Sequence, residues 1–154
     1  MFPELRRKDR KMGEEEAREI LAKGEYGVLS MVSPSGYGYG IPLSYVYLNN
    51  AIYFHCALHG YKRDILKTNN KVSFCVIGEA VTIPEKFNVK YRSVIVFGRA
   101  VEVFESERET ALLALAAKYS PDYPEEGKAE IRKDGPRTCV IKIIVEHISG
   151  KAAN

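Results

Sequence analysis

Short apolar runs alternate with turn-forming residues over most of the chain. The runs are rich in β-branched and aromatic residues, and most are bounded by Gly, Pro, Ser or Asn, which is the pattern of β-strands. Six strands are predicted, over residues 26–33, 37–48, 51–57, 71–77, 90–104 and 138–148. Short turns join the first three strands, so we expect an antiparallel meander.

The segments between the strands have helical or polar patterns. Residues 13–24 begin with acidic side chains and end with a lysine and a glycine, an order that suits the helix dipole. Residues 61–70 are predicted to form a short helix. Ser106 and Glu109 have the spacing of a capping box, which predicts that a helix begins there. Residues 121–136 are predicted to form a polar loop or a short helix.

The order of these elements favours a small barrel. Six mostly sequential antiparallel strands with helices between them predict a mainly β protein with peripheral helices, a closed or split β-barrel in one domain over residues 1–154. A Rossmann fold is disfavoured because no G-x-G-x-x-G follows the first strand. The strand over 90–104 is apolar on both parities in its middle. We therefore expect one face to line the barrel interior and the other to be covered by a helix or a second subunit.

The second predicted strand has two unequal faces. One parity is bulky and the other almost bare: Tyr37, Tyr39, Ile41, Leu43, Tyr45 and Tyr47 against Gly38, Gly40, Pro42 and Ser44. A bare face lets a ligand or another backbone approach closely, and a proline indicates an edge or a bulge. Packing at a barrel corner explains the same segment equally well.

Composition narrows the class of protein. The chain has 154 residues, and its formal charge of +3 arises from 23 basic and 20 acidic residues that are interspersed. This balance does not compel a nucleic-acid partner, and none is predicted. Basic residues form one concentrated run, at 6–11, and the basic N-terminal segment 1–12 is expected to be a solvated arm.

Cysteine usage and hydropathy indicate the compartment. Three cysteines without C-x-x-C spacing argue against a disulfide framework and for a reducing environment, so a cytoplasmic location is expected. No apolar run reaches the roughly 18 residues of a membrane span, and the N-terminus lacks the apolar centre of a signal peptide. Neither export nor a membrane partner is therefore expected.

The passage between the third and fourth strands holds most of the candidate chemistry. His55, Cys56 and His59 are too few to hold zinc, and adjacent strand residues point to opposite faces, so no metal site is predicted. Cys56 stands in no known nucleophile signature. Gly60 before a helix start, together with Lys62, offers free backbone N–H groups, a positive helix end and a point charge, all of which suit a phosphate. A plain surface lysine is the alternative.

Four stretches carry a resemblance to a known family: "YGVLSMVSPSGYGYGIPLSYVYLNNAIYFHCALHGYK", "NNKVSFCVI", "VIVFGRA" and "EHISGK". In their order and spacing, residues 26–150 resemble the FMN-binding split barrel of the pyridoxamine 5'-phosphate oxidase-like superfamily, most closely its nitroimidazole-resistance branch. The resemblance implies a six-stranded antiparallel split β-barrel that binds FMN at a homodimer interface.

The resemblance also implies which residues contact FMN. The segment 41–45 would lie along the isoalloxazine and ribityl, His55 and Cys56 would lie close to the ribityl and phosphate, and Lys62 would bind the phosphate. The cofactor-binding candidates are Ile41, Pro42, Leu43, Ser44, Tyr45, His55, Cys56, His59, Tyr61, Lys62, Ser93 and Lys151.

Some of these positions match the family less closely than others. Ser93 stands where the oxidases carry a polar flavin contact, and Lys151 lies in a tail near the flavin. Tyr61 occupies a position where relatives often carry His or Arg. The C-terminal Trp and Arg motif of the oxidases is absent, since the chain has no Trp. Oxidation of pyridoxamine phosphate is therefore not predicted.

The resemblance implies a function as well as a fold. It predicts an FMN-dependent oxidoreductase that acts on a small molecule, with nitroaromatic compounds such as nitroimidazoles as candidate substrates, and it assigns no catalytic residue. The alternative is a flavin- or haem-binding carrier or sensor without turnover. A metal- or nucleic-acid-binding module would rest only on His55, His59 and the basic arm.

Overall fold

The computed structural model describes residues 1–153, which form one eight-stranded sheet with helices around it. The strands are β1 Lys11–Met12, β2 Gly27–Val32, β3 Gly38–Leu43, β4 Val46–Leu48, β5 Ala51–Ala57, β6 Lys71–Ile83, β7 Asn88–Val103 and β8 Thr138–Ala153. The helices are α1 Glu14–Lys23, α2 Tyr61–Thr68, α3 Glu105–Tyr119 and α4 Pro124–Asp134, with 3₁₀ turns at Lys8–Arg10, Pro84–Lys86 and Gly135–Arg137.

The sheet curls into a split barrel. Its order is β3-β2-β6-β7-β8-β5-β4, with β1 added beside β8, and the paired strands are antiparallel. The two strands at the ends of this order, β3 and β4, are joined through Ser44 and Tyr45 alone. Three Cα–Cα steps span at most about 11 Å. The two ends of the sheet must therefore meet at this link, and the predicted split-barrel class is confirmed.

The strand count differs from the predicted six for two reasons. The predicted strand over 37–48 is broken at Ser44 and Tyr45, because there the chain crosses from one end of the sheet order to the other. The second reason is β1, which pairs with Lys151 and Gly150 of β8.

The N-terminal arm is less solvated than its basic run suggested. Met12 is buried in the core, and the Phe2 ring stacks on Phe97 and His147 with centroids 5.2 and 5.1 Å away. The apolar residues of the arm find cover on the barrel, while its charged residues stay outside.

The helices lie close to their predicted positions, but one start signal was wrong. Helix α3 begins at Glu105 after Phe104, and no side chain caps it within the described residues. Ser106 and Glu109 therefore lie inside the helix instead of forming a capping box. Residues 124–134 are helical, which decides between the loop and the helix predicted there. No helix of residues 1–153 is long and apolar enough to span a membrane.

The core fills the barrel, and two helices close its ends. The largest fully buried side chains of the strands and of the β3–β4 link are Leu29, Met31, Tyr45, Ile52, Phe54, Phe74 and Ile143. Helix α1 contributes Leu21 to this cluster, and α2 contributes Ile65. Ile20 of α1 lies against Gly78 of β6, whereas α2 ends just before β6 begins. The two helices therefore close opposite ends of the barrel.

Helix α3 covers only part of the outer face of the barrel. It packs on Ala51, Tyr53, Val103 and Val140. In β7, Val94 and Val96 are fully buried inside, while Ile95 points outward with 38% of its surface exposed. The outward-facing apolar residues of this strand are therefore covered by helix α3 near Val103 and left uncovered at Ile95.

Candidate functional site

An opening separates β3 from the end of β5. Strand β4 pairs with Ala51–Tyr53 only, so the edge of β5 beyond it is free of β4. Strand β3 pairs with β2 on one side and, among residues 1–153, with no strand on the other. The opening is bordered by α2, because the Tyr61 ring meets the Tyr39 ring of β3 edge-on at 4.9 Å.

The bare face of β3 is its exposed face. Gly38, Gly40, Pro42 and Ser44 are exposed, whereas Ile41 and Leu43 are half-buried and pack against the core. Of the predicted flavin platform, Pro42 and Ser44 can therefore offer side chains to a ligand. Ile41 and Leu43 can offer mainly backbone on this face, which has the bare surface that a flat ring needs for close approach.

Tyr45 is the member of the predicted platform whose side chain is least available. It is fully buried, and its hydroxyl donates to the Leu21 carbonyl oxygen. Lys118 Nζ lies 4.0 Å from the Tyr45 ring centroid and donates to the Tyr45 carbonyl oxygen at 2.8 Å. Burial raises the pKa of Tyr45, with Tyr119 adding to the shift. Tyr45 thus fixes the β3–β4 link from inside the barrel.

The start of α2 is built to receive an anion. Gly60 precedes it with φ of +144°, a conformation that glycine adopts readily. No side chain of the described residues caps this helix, and the space over Gly60 is open. The first N–H groups of a helix have no intrahelical partner and carry the positive end of its dipole. They therefore form a cradle that a phosphate fits.

Lys62 and His55 add to this cradle. Lys62 is half-buried, with its Nζ atom 5.6 Å from the Phe54 ring centroid. His55 is exposed by its accessible surface, but neighbouring atoms partly desolvate its imidazole and lower its pKa, and the positive charge of Lys62 lowers it further. His55 is therefore mainly neutral at pH 7, and its imidazole can donate or accept a hydrogen bond there.

The effect of the Lys62 charge on His55 predicts a pH dependence. Because the folded-state pKa of His55 lies below 6.5, the unfolded chain takes up the proton first, and this contribution to stability falls as pH drops through 6.5. Lys62→Gln is expected to raise the His55 pKa, measured by NMR titration of the imidazole. Lys67→Gln, at the far end of α2, is the control and should leave the pKa unchanged. Equal His55 pKa values in the two variants would contradict this charge interaction.

The other two residues of this passage differ in where they lie. His59 is exposed in the loop between β5 and α2. Cys56 is half-buried, packs against the interior core and pairs with Cys139 across β5 and β8. Since neighbouring strand residues face opposite ways, the side chains of His55 and Cys56 diverge.

Ser93 and Lys151 form a second group with residues that the sequence did not single out. They are Cα partners across β7 and β8. The Lys151 Nζ atom lies 5.7 Å from the Tyr91 ring centroid, and Arg10 Nη1 donates to the Tyr91 hydroxyl at 3.2 Å. Partial burial favours the neutral phenol of Tyr91, but the hydrogen bond from Arg10 and the nearby positive charge of Lys151 outweigh it and lower the pKa of Tyr91.

The sequence could have pointed to Tyr91. It lies two residues before Ser93, and residues two apart in a strand share a face. No sequence signal points to Arg10, because its position depends on the pairing of β1 with the end of β8.

The two groups are separate within one protomer. Strand β5 pairs with Thr138–Ile144 of β8, whereas Lys151 lies in the later part of β8 that pairs with β1 and β7. Of the predicted cofactor-binding residues, the structure brings His55, Tyr61 and Lys62 to the opening beside Pro42 and Ser44. Ser93 and Lys151 lie outside this opening.

The fold and the candidate site together give the class of this protein. It is a small antiparallel split barrel in which an uncapped helix start lies beside a bare strand face. The chain belongs to the pyridoxamine 5'-phosphate oxidase family, whose family model matches residues 13–152. Among proteins with curated descriptions, none matches the chain.

Solved structures share this fold at low sequence identity. One of them, from Bacteroides thetaiotaomicron, is described as a 5-nitroimidazole antibiotic resistance protein. It is 19% identical to this chain, with a TM-score of 0.77 over 92% of this chain and 86% of its own. A FAD-binding protein from Mesorhizobium loti is 24% identical, with a TM-score of 0.71 over 94% and 98%. A FAD and haem binding protein from Mycobacterium smegmatis is 15% identical, with a TM-score of 0.77 over 94% and 74%.

Proposed function

We propose that this protein is an FMN-dependent oxidoreductase that reduces small nitroaromatic compounds. The observation that carries the proposal is the phosphate-type cradle at the start of α2, with Lys62 and His55, next to the bare face of β3. The family supports it, and so do two solved proteins of this fold, one described as FAD-binding and one as a nitroimidazole resistance protein.

The residues present fit a flavin mononucleotide. The cradle suits the phosphate, because backbone N–H groups and a lysine ammonium are strong donors to phosphate oxygens. Pro42 and Ser44 leave room beside β3 for a planar ring, and Ser44 can also hydrogen-bond with it. When bound, flavin supplies the redox chemistry, while the protein binds and orients it and excludes competing reactions.

A homodimer would unite the two groups of candidate residues. Ser93 and Lys151 lie outside the opening of their own protomer but on an outer face that Ile95 leaves apolar and partly uncovered. A second protomer that covers this face could bring its Ser93 and Lys151 to the opening. This arrangement would place FMN between two subunits.

A charged residue on the apolar face around Ile95 tests whether this face is the dimer interface. Ile95→Lys is expected to convert the dimer to a monomer, measured by light scattering, because a buried unpaired lysine is costly at an interface. Leu113→Lys is the matched control, since Leu113 is also 38% exposed but lies on α3. If both variants stay dimeric, this face is not the interface.

The proposed reaction is tested on the purified full-length protein. Its absorption spectrum is expected to show bound flavin, and anaerobic addition of NADH or NADPH should bleach that spectrum. A nitroimidazole should then restore the spectrum faster than it reoxidises free reduced FMN, because a bound acceptor is held in position.

The other outcomes define the alternatives. A protein that binds flavin but gains no rate over free reduced FMN would be a carrier or sensor, and the proposed activity would be wrong. A Soret band would indicate haem instead, as in the fold relative described as binding FAD and haem.

A further inference from the structure

Two cysteines face each other in the ladder between β5 and β8. Cys56 and Cys139 are Cα partners there, and directly opposed residues of antiparallel strands present side chains on the same face. That face is the barrel interior, where Cys139 belongs to the core and Cys56 packs against it.

The pair has the spacing that a disulfide needs. Opposed residues in antiparallel strands have Cα atoms about 4.5–5.5 Å apart, and disulfides join Cα atoms about 4.4–6.8 Å apart. The bond can therefore form without a large backbone movement. The remaining cysteine, Cys75, is also half-buried, but the ladders place Val28 and Ile95 opposite it.

Arg63 is the charged neighbour of this pair. Its Nη1 atom donates to Cys139 Sγ at 3.1 Å, and a salt bridge of 2.9 Å to Glu102 holds the guanidinium in place. Burial raises the pKa of Cys139 to about 12, with Cys56 adding to the shift and Arg63 opposing it. Cys139 is thus a protonated thiol at neutral pH. Arg63 can stabilise negative charge on its sulfur as the proton leaves.

The two thiols differ in access to solvent. Cys139 is 1% exposed, whereas Cys56 is half-buried near the end of β5. A small oxidant in solution therefore reaches Cys56 first, and Cys139 is positioned behind it to react in the second step.

We propose that Cys56 and Cys139 are a redox-active dithiol, a modification site that peroxides close to an intramolecular disulfide. The Cys56 sulfur takes one peroxide oxygen to become a sulfenic acid, the O–O bond breaks, and water leaves. The Cys139 sulfur then attacks the Cys56 sulfur, so that the S–S bond forms and the S–O bond breaks. The departing hydroxide combines with the Cys139 proton as a second water. Two thiols are oxidised and one peroxide is reduced.

Thiol counting and peptide mapping test this site, independently of flavin binding or turnover. The full-length chain, reduced and then treated with one equivalent of hydrogen peroxide, should lose two of its three thiols and the mass of two hydrogen atoms. Mapping without reduction should recover Cys56 joined to Cys139, and dithiothreitol should restore both thiols. A link through Cys75, a disulfide between chains, or oxygen addition without a link overturns the proposal.

Variants separate the roles of the three cysteines. Cys75→Ser should close the disulfide at the wild-type rate, while Cys56→Ser and Cys139→Ala should each abolish it. Closure that persists in either of the latter two overturns the assignment. The mapping of the wild-type chain needs no variant, so a variant that fails to fold does not remove the test.

Arg63 is a positioning residue in this scheme. Arg63→Gln should slow formation of the disulfide about tenfold. The Cys139 sulfur, which loses its proton in this step, would no longer accept a hydrogen bond from a charged group. Arg63→Lys keeps the charge and should recover most of the rate. Closure rates that are equal in all three proteins would show that Arg63 has only a structural role.

Discussion

Tyr45→Ala is expected to destabilise the fold by about 3–5 kcal/mol, the usual cost of replacing a buried large aromatic residue by alanine. The Tyr45 ring is fully buried and meets Phe74 edge-on at 4.8 Å. Its loss would leave a cavity beneath the link that joins β3 to β4. Since folded domains are stable by only about 5–15 kcal/mol, the variant should have a much lower urea midpoint in equilibrium unfolding.

Two further variants isolate the cause. Tyr45→Phe keeps the ring and removes the hydroxyl that donates to Leu21, so it should cost about 1 kcal/mol. Tyr37→Ala removes an exposed tyrosine of the same parity, 79% exposed, and should change stability by less than about 0.5 kcal/mol. A loss in Tyr45→Ala no greater than that in Tyr37→Ala would contradict the interior role of Tyr45.

Lys62→Ala is expected to weaken FMN binding by about tenfold to a hundredfold, the range of a charged hydrogen bond of about 1.5–3 kcal/mol. Riboflavin, which lacks the phosphate, should bind the variant and the wild-type protein almost equally. The physical reason is that Lys62 is half-buried in the first turn of α2, so its ammonium would add a positive charge to the free helix N–H groups that we propose bind the phosphate. Fluorescence quenching of each flavin gives both dissociation constants.

Lys67→Ala is the matched control for this measurement. It removes the same charge from the same helix, but it lies in the last turn of α2. FMN affinity should therefore stay near the wild-type value, apart from a small change that salt screens. Equal losses for FMN and riboflavin in Lys62→Ala, or equal losses for Lys62→Ala and Lys67→Ala, would remove the phosphate assignment.

Local pattern predicted the elements well where each depended on its own residues. The bare and bulky faces of β3 followed from period-two alternation, and Gly60 with Lys62 marked the start of α2. The same pattern could not reveal that Tyr45 is interior and sits at a break in the strand. That break depends on β2 and β5 lying on either side of it, and these strands are distant in the sequence.

Pairings between distant segments were outside the reach of the sequence. Arg10 meets Tyr91 because β1 pairs with the end of β8, and Cys56 meets Cys139 because of the register between β5 and β8. A shift of one residue in either ladder would turn these side chains to the opposite face.

The sequence by itself determined most of the secondary structure, the antiparallel barrel class and the family, because turn residues, hydrophobic period and motif order are properties of short segments. The tertiary structure alone decided which of the candidate residues share a surface. It separated Ser93 and Lys151 from the Lys62 cradle and buried Tyr45 inside the barrel. The reason is that sheet closure and strand register are set by packing among residues far apart in the chain, and a local pattern carries no record of those distances.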